Sequence, residues 1–242
     1  MNYKQYGQTP PPYQPGGAST ALTTQVNTVM RKVYVRMFIG LLISAFAALG
    51  VASSPTAMMF LFGNRLVFFG MMIAMIAMAF ILPSRFMKMS QGSVLVCFLA
   101  YSALMGAWLA PIFVVYRLGT IVYTLFITAG TFGAMSVYGY FTKSNLAKVG
   151  SYAMMALFGL IIVMIVNIFV KSSALEWIIS IVGVLLFVGL TAWDTQQIKQ
   201  LSQANLDPAL SDKLATIGAM NLYLDFINLF LFLLRIFGGS RD

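Results

Sequence analysis

The chain has 242 residues, of which 60% are hydrophobic and 9% charged, with a formal net charge of +9. Soluble domains carry roughly 45–50% apolar and about 25% charged residues, so this composition excludes a soluble globular fold and indicates an all-α, multi-pass integral membrane protein. There is no histidine and a single cysteine, Cys97, inside an apolar run, which removes Ser-His and Cys-His catalysis, the commonest metal ligand and any intrachain disulfide.

Residues 1–28 are polar and rich in Tyr, Gln, Pro and Gly, including Tyr3, Tyr6, Tyr13, Pro10, Pro11, Pro12 and Pro15. With few aliphatic side chains to bury, this stretch reads as a disordered tail. It lacks the basic start, apolar core and small-residue cleavage site of a signal peptide. Residues 29–242 form the membrane domain, in which seven apolar runs follow one another. They are Val33–Val51, Leu66–Leu82, Ser93–Val115 with a bend near Pro111, Leu118–Tyr140, Val149–Val170, Trp177 to about Asp194, and Leu214–Phe237. Each is close to the roughly 20 residues that a helix needs to cross a bilayer. Ala129, Gly130, Gly133 and Ala134 in the fourth run offer small residues for close helix contact. The sixth run continues as helix through Gln196 and Ile198, and a polar connector, Lys199–Lys213, leads to the seventh.

Positive charge gives the orientation, because cytoplasmic loops carry an excess of lysine and arginine. An N-terminus in the cytoplasm places Lys4, Arg31, Lys32, Arg36, Arg85, Lys88, Lys143, Lys148, Lys199 and Lys213 on that side. The other side receives Arg65, Arg117, Lys171, Arg235 and Arg241. That excess also accounts for the net charge without nucleic acid as a partner; the lipid bilayer is the partner the composition requires. Arg36 lies close enough to the end of the first run to snorkel.

Six acidic residues are present, and only Asp194 and Asp225 fall within or against an apolar run. A charged side chain deep in a bilayer costs at least ~2.5–3.5 kcal/mol on insertion scales. Gly218, Asn221, Asp225 and Asn228 are spaced by threes and fours, so they share one face of the last helix. Thr191 shares a face with Asp194 on the preceding helix. The two helices run antiparallel across one connector, which brings the carboxyl groups within range of meeting. Two carboxylates a few ångströms apart in a poorly solvated place cannot cheaply both be ionised, so such a pair shares a proton and titrates as a unit. With the proton, one acid hydrogen-bonds the other; without it, the pair repels or offers oxygens to a cation, and calcium favours carboxylate and carbonyl oxygens. Arg85 or Lys88, at the cytoplasmic end of the second run, is a candidate partner for the pair, and Asn167 a candidate for an interhelical hydrogen bond.

The segments Gly189-Leu-Thr-Ala-Trp-Asp194-Thr-Gln-Gln-Ile-Lys and Leu222-Tyr-Leu-Asp225-Phe-Ile-Asn-Leu-Phe-Leu-Phe-Leu-Leu-Arg-Ile-Phe-Gly238 resemble the signature of the Bax inhibitor family, the transmembrane Bax inhibitor motif proteins. Phe132-Gly-Ala-Met-Ser-Val-Tyr-Gly-Tyr-Phe-Thr-Lys143 resembles its middle portion. The likeness runs from about residue 30 to the end and is strongest to bacterial members; the family usually carries tyrosine at the place of Trp193. The resemblance implies a seven-transmembrane-helix bundle with the last helix central, in a bacterial inner membrane. It implies a pH-sensitive calcium-permeable leak, with Asp194 and Asp225 as proton sensor and ion path, Thr191, Asn221 and Asn228 as the supporting polar face, and Arg85 as the lock. Calcium and protons are then the ions handled, with Asp194 and Asp225 as a transient calcium site, and no cofactor is expected. Bacterial relatives also include modulators of a membrane-anchored ATP-dependent protease, so a non-conducting regulator with a membrane protease partner is the alternative. An intramembrane aspartyl protease has a similar two-aspartate layout, but its second aspartate follows Gly-x-Gly, where this chain has Leu222, Tyr223 and Leu224; no enzyme is expected.

Overall fold

A computed structural model describes residues 15–204 and 206–238, and its regular structure among these residues is helical. The order is α1 (Pro15–Ala52), α2 (Pro55–Met58), a π-helical turn at Met59–Gly63, α3 (Arg65–Arg85), a 3-10 turn at Phe86–Lys88, α4 (Gln91–Leu109), α5 (Ile112–Val115), α6 (Leu118–Phe141), α7 (Ala147–Val170), α8 (Ser173–Ser202) and α9 (Pro208–Phe237). Seven segments, built on α1, α3, α4 with α5, α6, α7, α8 and α9, are long and apolar enough to cross a membrane. The protein is therefore an all-α integral membrane protein of seven spans. The start of α1 and the end of α9 lie on opposite sides.

Local chemistry sets the helix ends. Asn64 Oδ1 accepts hydrogen bonds from the Leu66 and Val67 amides at 3.0 and 3.4 Å. Ser90 and Ser172 cap α4 and α8 through the amides of Ser93 and Leu175. Asp207 caps α9, whose first residue is Pro208, a position where the missing amide is no loss. These caps satisfy amides that have no partner within their own helix. The bend expected near Pro111 is a break between α4 and α5.

Two boundaries differ from the expectation. Residues 1–14 lie outside the described residues, but α1 begins at Pro15, so residues 15–28 of the expected disordered tail are helical. The cause is an apolar stripe hidden among polar residues. Val26, Val29, Met30, Val33 and Met37 are all buried at spacings of three and four, which keeps them on one helix face. Hydrogen bonds from Gln25 Nε2 to the Ala204 carbonyl (2.9 Å) and from the Tyr140 hydroxyl to Asn27 Oδ1 (3.0 Å) hold this extension. The expected connector Lys199–Lys213 is also shorter, because α8 runs to Ser202 and α9 starts at Pro208.

The helices differ sharply in environment. In its most apolar stretch α9 is 72% buried, against 6% for α7, so α7 presents its Ile, Phe and Val side chains to lipid while α9 is enclosed. α9 packs against α1, α4, α6 and α8. Close approach depends on particular glycines: a Cβ on Gly106 would run into the Ser44 backbone and one on Gly139 into the Ala192 backbone, joining α4 to α1 and α6 to α8. Gly130 and Gly133, expected to serve this purpose, have open space where a Cβ would be; the buried face of α6 is instead Thr124, Thr128, Phe132, Ser136 and Gly139.

Candidate functional site

α8 and α9 are antiparallel, with Ile198 against Gly218 and the Phe187 ring stacked on Phe232 at 5.9 Å. Asp194 and Asp225 fall between these two contacts. Asp194 is 7% exposed and Asp225 5%, and their carboxyl groups stand within hydrogen-bonding reach of each other. Asp225 lies twelve residues before the end of α9 at Phe237, about 18 Å at 1.5 Å per residue, which is inside a hydrocarbon core about 30 Å thick.

Among the described residues no cation balances the pair. The ion pairs found among the described residues are both made by Asp212, and Asp225 Oδ2 has no protein hydrogen-bond partner. Arg85, expected as the lock, is exposed at the end of α3 and forms neither ion pair. Its place at the face of the bundle that carries the start of α1 leaves it solvated, as an ordinary basic residue at a span end.

The polar face around the pair is only partly the expected one. Thr191 is fully buried, but its hydroxyl donates to the Phe187 carbonyl of its own helix (2.7 Å). Asn228 Nδ2 likewise donates to the Leu224 carbonyl (2.8 Å), and Asn221 is half-buried one turn before Asp225. Sequence reasoning missed Thr195, which follows Asp194 in the chain and whose hydroxyl is buried without a hydrogen-bond partner among the described residues, as are those of Ser136 and Thr124 on α6. Thr195 belongs to the same motif as Asp194, so its presence next to an intramembrane acid was the available signal. Calcium takes 6–8 oxygen ligands, whereas no group of three or more His, Cys, Asp or Glu occurs among the described residues.

A second polar cluster ties α1 to the first turns of α9. Arg36 Nη2 donates to both carboxylate oxygens of Asp212 (2.8 Å each), while Nη1 donates to the Asp212 carbonyl (2.6 Å) and to Thr216 Oγ1 (2.8 Å). Lys32 Nζ adds a contact to Asp212 Oδ1 at 2.9 Å. Arg36 therefore does more than snorkel: it clasps two helices. Deeper in, the Tyr223 hydroxyl meets Ser44 Oγ at 2.7 Å, and the Ser44 hydroxyl donates to the Ser102 carbonyl at 2.7 Å, joining α9, α1 and α4. Trp193 lies against α7 with its ring over Gly150, where a Cβ would collide with it; the bare glycine makes room for the larger ring.

Seven spanning helices with an enclosed last helix carrying an acid opposite a second acid define a polytopic membrane protein built around two intramembrane aspartates. The family described as "Inhibitor of apoptosis-promoting Bax1" matches residues 26–242, from the first buried residue of the α1 extension onward. The chain belongs to the Bax inhibitor family. It is 45% identical over 218 residues to the inner membrane protein YbhL of Escherichia coli (strain K12), covering 89% of this chain and 93% of that protein. A protein of Borreliella burgdorferi is 43% identical over 217 residues, covering 89% and 94%, and one of Caulobacter vibrioides 36% identical over 238 residues, covering 93% and 94%.

Proposed function

We propose that this protein is a pH-sensitive calcium-permeable leak of a bacterial inner membrane, gated by a proton shared between Asp194 and Asp225. The observation that carries this reading is the facing of the two carboxyl groups, buried, within hydrogen-bonding reach and with no cation paired to them among the described residues. The E. coli relative, named an inner membrane protein, supports the location, and the ten-to-five distribution of basic residues supports a cytoplasmic N-terminus.

With one proton between them, the acids form an O–H···O bond that ties α8 to α9. Without it, two unit charges about 4 Å apart repel by about 4 kcal/mol at an effective dielectric of ~20. Conformational equilibria separated by a few kcal/mol are moved by energies of this size, so the helices part as the proton leaves. The two negative oxygens then attract a divalent cation.

Calcium uptake into proteoliposomes of the purified protein tests this. Uptake is expected to rise with pH in the wild type and to lose its pH dependence in Asp225→Asn and Asp194→Asn. Wild-type uptake no greater than that of empty vesicles overturns the leak and leaves regulation of a membrane protease as the reading to pursue.

A further inference from the structure

At the end of the bundle opposite the start of α1, a crevice of about 570 Å³ opens between α7, α8 and α9. Its volume is in the range of small-ligand sites, roughly 300–1,000 Å³. Its mouth carries Lys171 at the end of α7, Glu176 in the first turn of α8 and Arg235 in the last turn of α9. These charges form no ion pair with one another, since both ion pairs among the described residues belong to Asp212. Asn167 joins them: its Oδ1 accepts from the Ser172 amide at 3.1 Å, which leaves its NH2 group to donate elsewhere. Below the mouth the lining is apolar, with Ile161, Ile165 and Ile168 descending one face of α7, a run of about 10 Å toward the membrane centre. Lys171 holds φ 52°, a left-handed helix end where glycine is the usual residue. A lysine in this conformation carries backbone strain.

We propose that this crevice is a binding site for one zwitterionic phospholipid with an ethanolamine headgroup. Its phosphate meets Lys171, Arg235 and the Asn167 amide, its ammonium meets Glu176, and an acyl chain lies along the isoleucine face. A charged mouth at headgroup level above an apolar slot at hydrocarbon level fits an amphiphile rather than a soluble ion. Two cations beside one carboxylate match a headgroup that carries both signs. A purely anionic lipid leaves Glu176 unpaired against its phosphate. The site is remote from the aspartate pair, and its test does not depend on calcium conduction.

The experiment uses full-length protein, delipidated in detergent and titrated with phosphatidylethanolamine, phosphatidylcholine and phosphatidylglycerol of identical acyl chains, and with soluble glycerophosphoethanolamine. Bound molecules are counted by native mass spectrometry. One phosphatidylethanolamine is expected to be retained in preference to the others, since a methylated ammonium cannot donate to Glu176, and the soluble headgroup is expected not to bind. Lys171→Ala with Arg235→Ala is expected to weaken retention roughly twenty-five-fold, at about fivefold for each basic group. Glu176→Gln is expected to remove the preference for ethanolamine over choline. Equal retention of the three lipids by the wild type overturns the site, as does unchanged retention in the double variant. Binding of the soluble headgroup as tight as that of the lipid replaces the lipid with a free phosphate compound and overturns it too. If the double variant fails to fold, the headgroup preference of Glu176→Gln, a conservative change at an exposed position, decides alone.

Discussion

Asp212 and Asp225 lie thirteen residues apart on the same helix, yet their negative charges are met in opposite ways. Asp212 has a bidentate arginine and a lysine, both within 2.9 Å. Asp225 has another acid. α9 is 30 residues long, about 45 Å, which exceeds a hydrocarbon core of about 30 Å. Its first turns, with Asp212, extend into the polar zone where lysine and arginine are cheap to place. Asp225 sits at a depth where a cation is as expensive as an anion, and a proton is the least costly way to neutralise it. On the proposed reading, depth makes one aspartate a permanent fastening and the other an exchangeable one.

Removing the permanent fastening has the largest effect on stability. Arg36→Ala leaves the Asp212 carboxylate with Lys32 alone, takes the guanidinium donor from Thr216 Oγ1, and leaves the Asp212 carbonyl with only the Thr216 hydroxyl (3.3 Å) as side-chain donor; breaking a partly buried, hydrogen-bonded charge pair costs about 3 kcal/mol. Because this fastening does not depend on a proton shared between two acids, the loss is expected to be the same at about pH 6 and about pH 8. Unfolding in detergent, followed by loss of helical circular dichroism, checks this. A loss that changes steeply with pH between those values abolishes the distinction between the two aspartates.

The exchangeable fastening is expected to respond the other way. A pair that shares a proton when folded, and ionises fully when unfolded, binds more protons in the folded state, so wild-type stability falls as pH rises. Asp225→Asn keeps the shape, replaces the shared proton by an amide donor and removes the repulsion. It is expected to be near neutral at low pH and more stable than the wild type by about 2 kcal/mol at high pH, in line with the roughly 1.5–3 kcal/mol of hydrogen bonds to charged groups. Parallel stability curves for the two proteins across pH would show that no proton is shared.

The two aspartates also differ in how legible they were. Asp225 stands out because an acid inside an apolar run has no inexpensive explanation, and the antiparallel order of two successive helices brings Asp194 to it. Asp212 sits among Ser, Asp and Lys in what reads as a connector, and its partner Arg36 is 176 residues away. A single sequence records no such pairing. The α1 extension was hidden for a related reason: Gln25 and Asn27 make the stretch polar on average, while its buried face shows only in the positions of Val26, Val29, Met30 and Val33. The seven spans needed no tertiary information, because length and hydropathy suffice for a helix in lipid. Which face of each helix meets protein and which meets lipid did need it, since both surroundings are apolar; Gly130 and Gly133 look like packing residues and are not.

Arg85 supplies the smallest effect and sharpens the comparison most. It lies on the same face of the bundle as Arg36 and carries the same charge, so a bulk field from basic residues would make the two equivalent. Its side chain is exposed and outside both ion pairs, and exposed substitutions away from specific contacts usually stay within about 0.5 kcal/mol. Arg85→Ala is therefore expected to leave unfolding within about 0.5 kcal/mol of the wild type and to leave the pH profile of calcium uptake unmoved. The paired measurement with Arg36→Ala at one ionic strength separates contact from field, because screening by added salt weakens a field between exposed charges and spares a partly buried bidentate bond. A shift of the uptake profile in Arg85→Ala would bring that arginine to the acid pair in the conducting state, and the pair would then answer to a side-chain cation as well as to a proton.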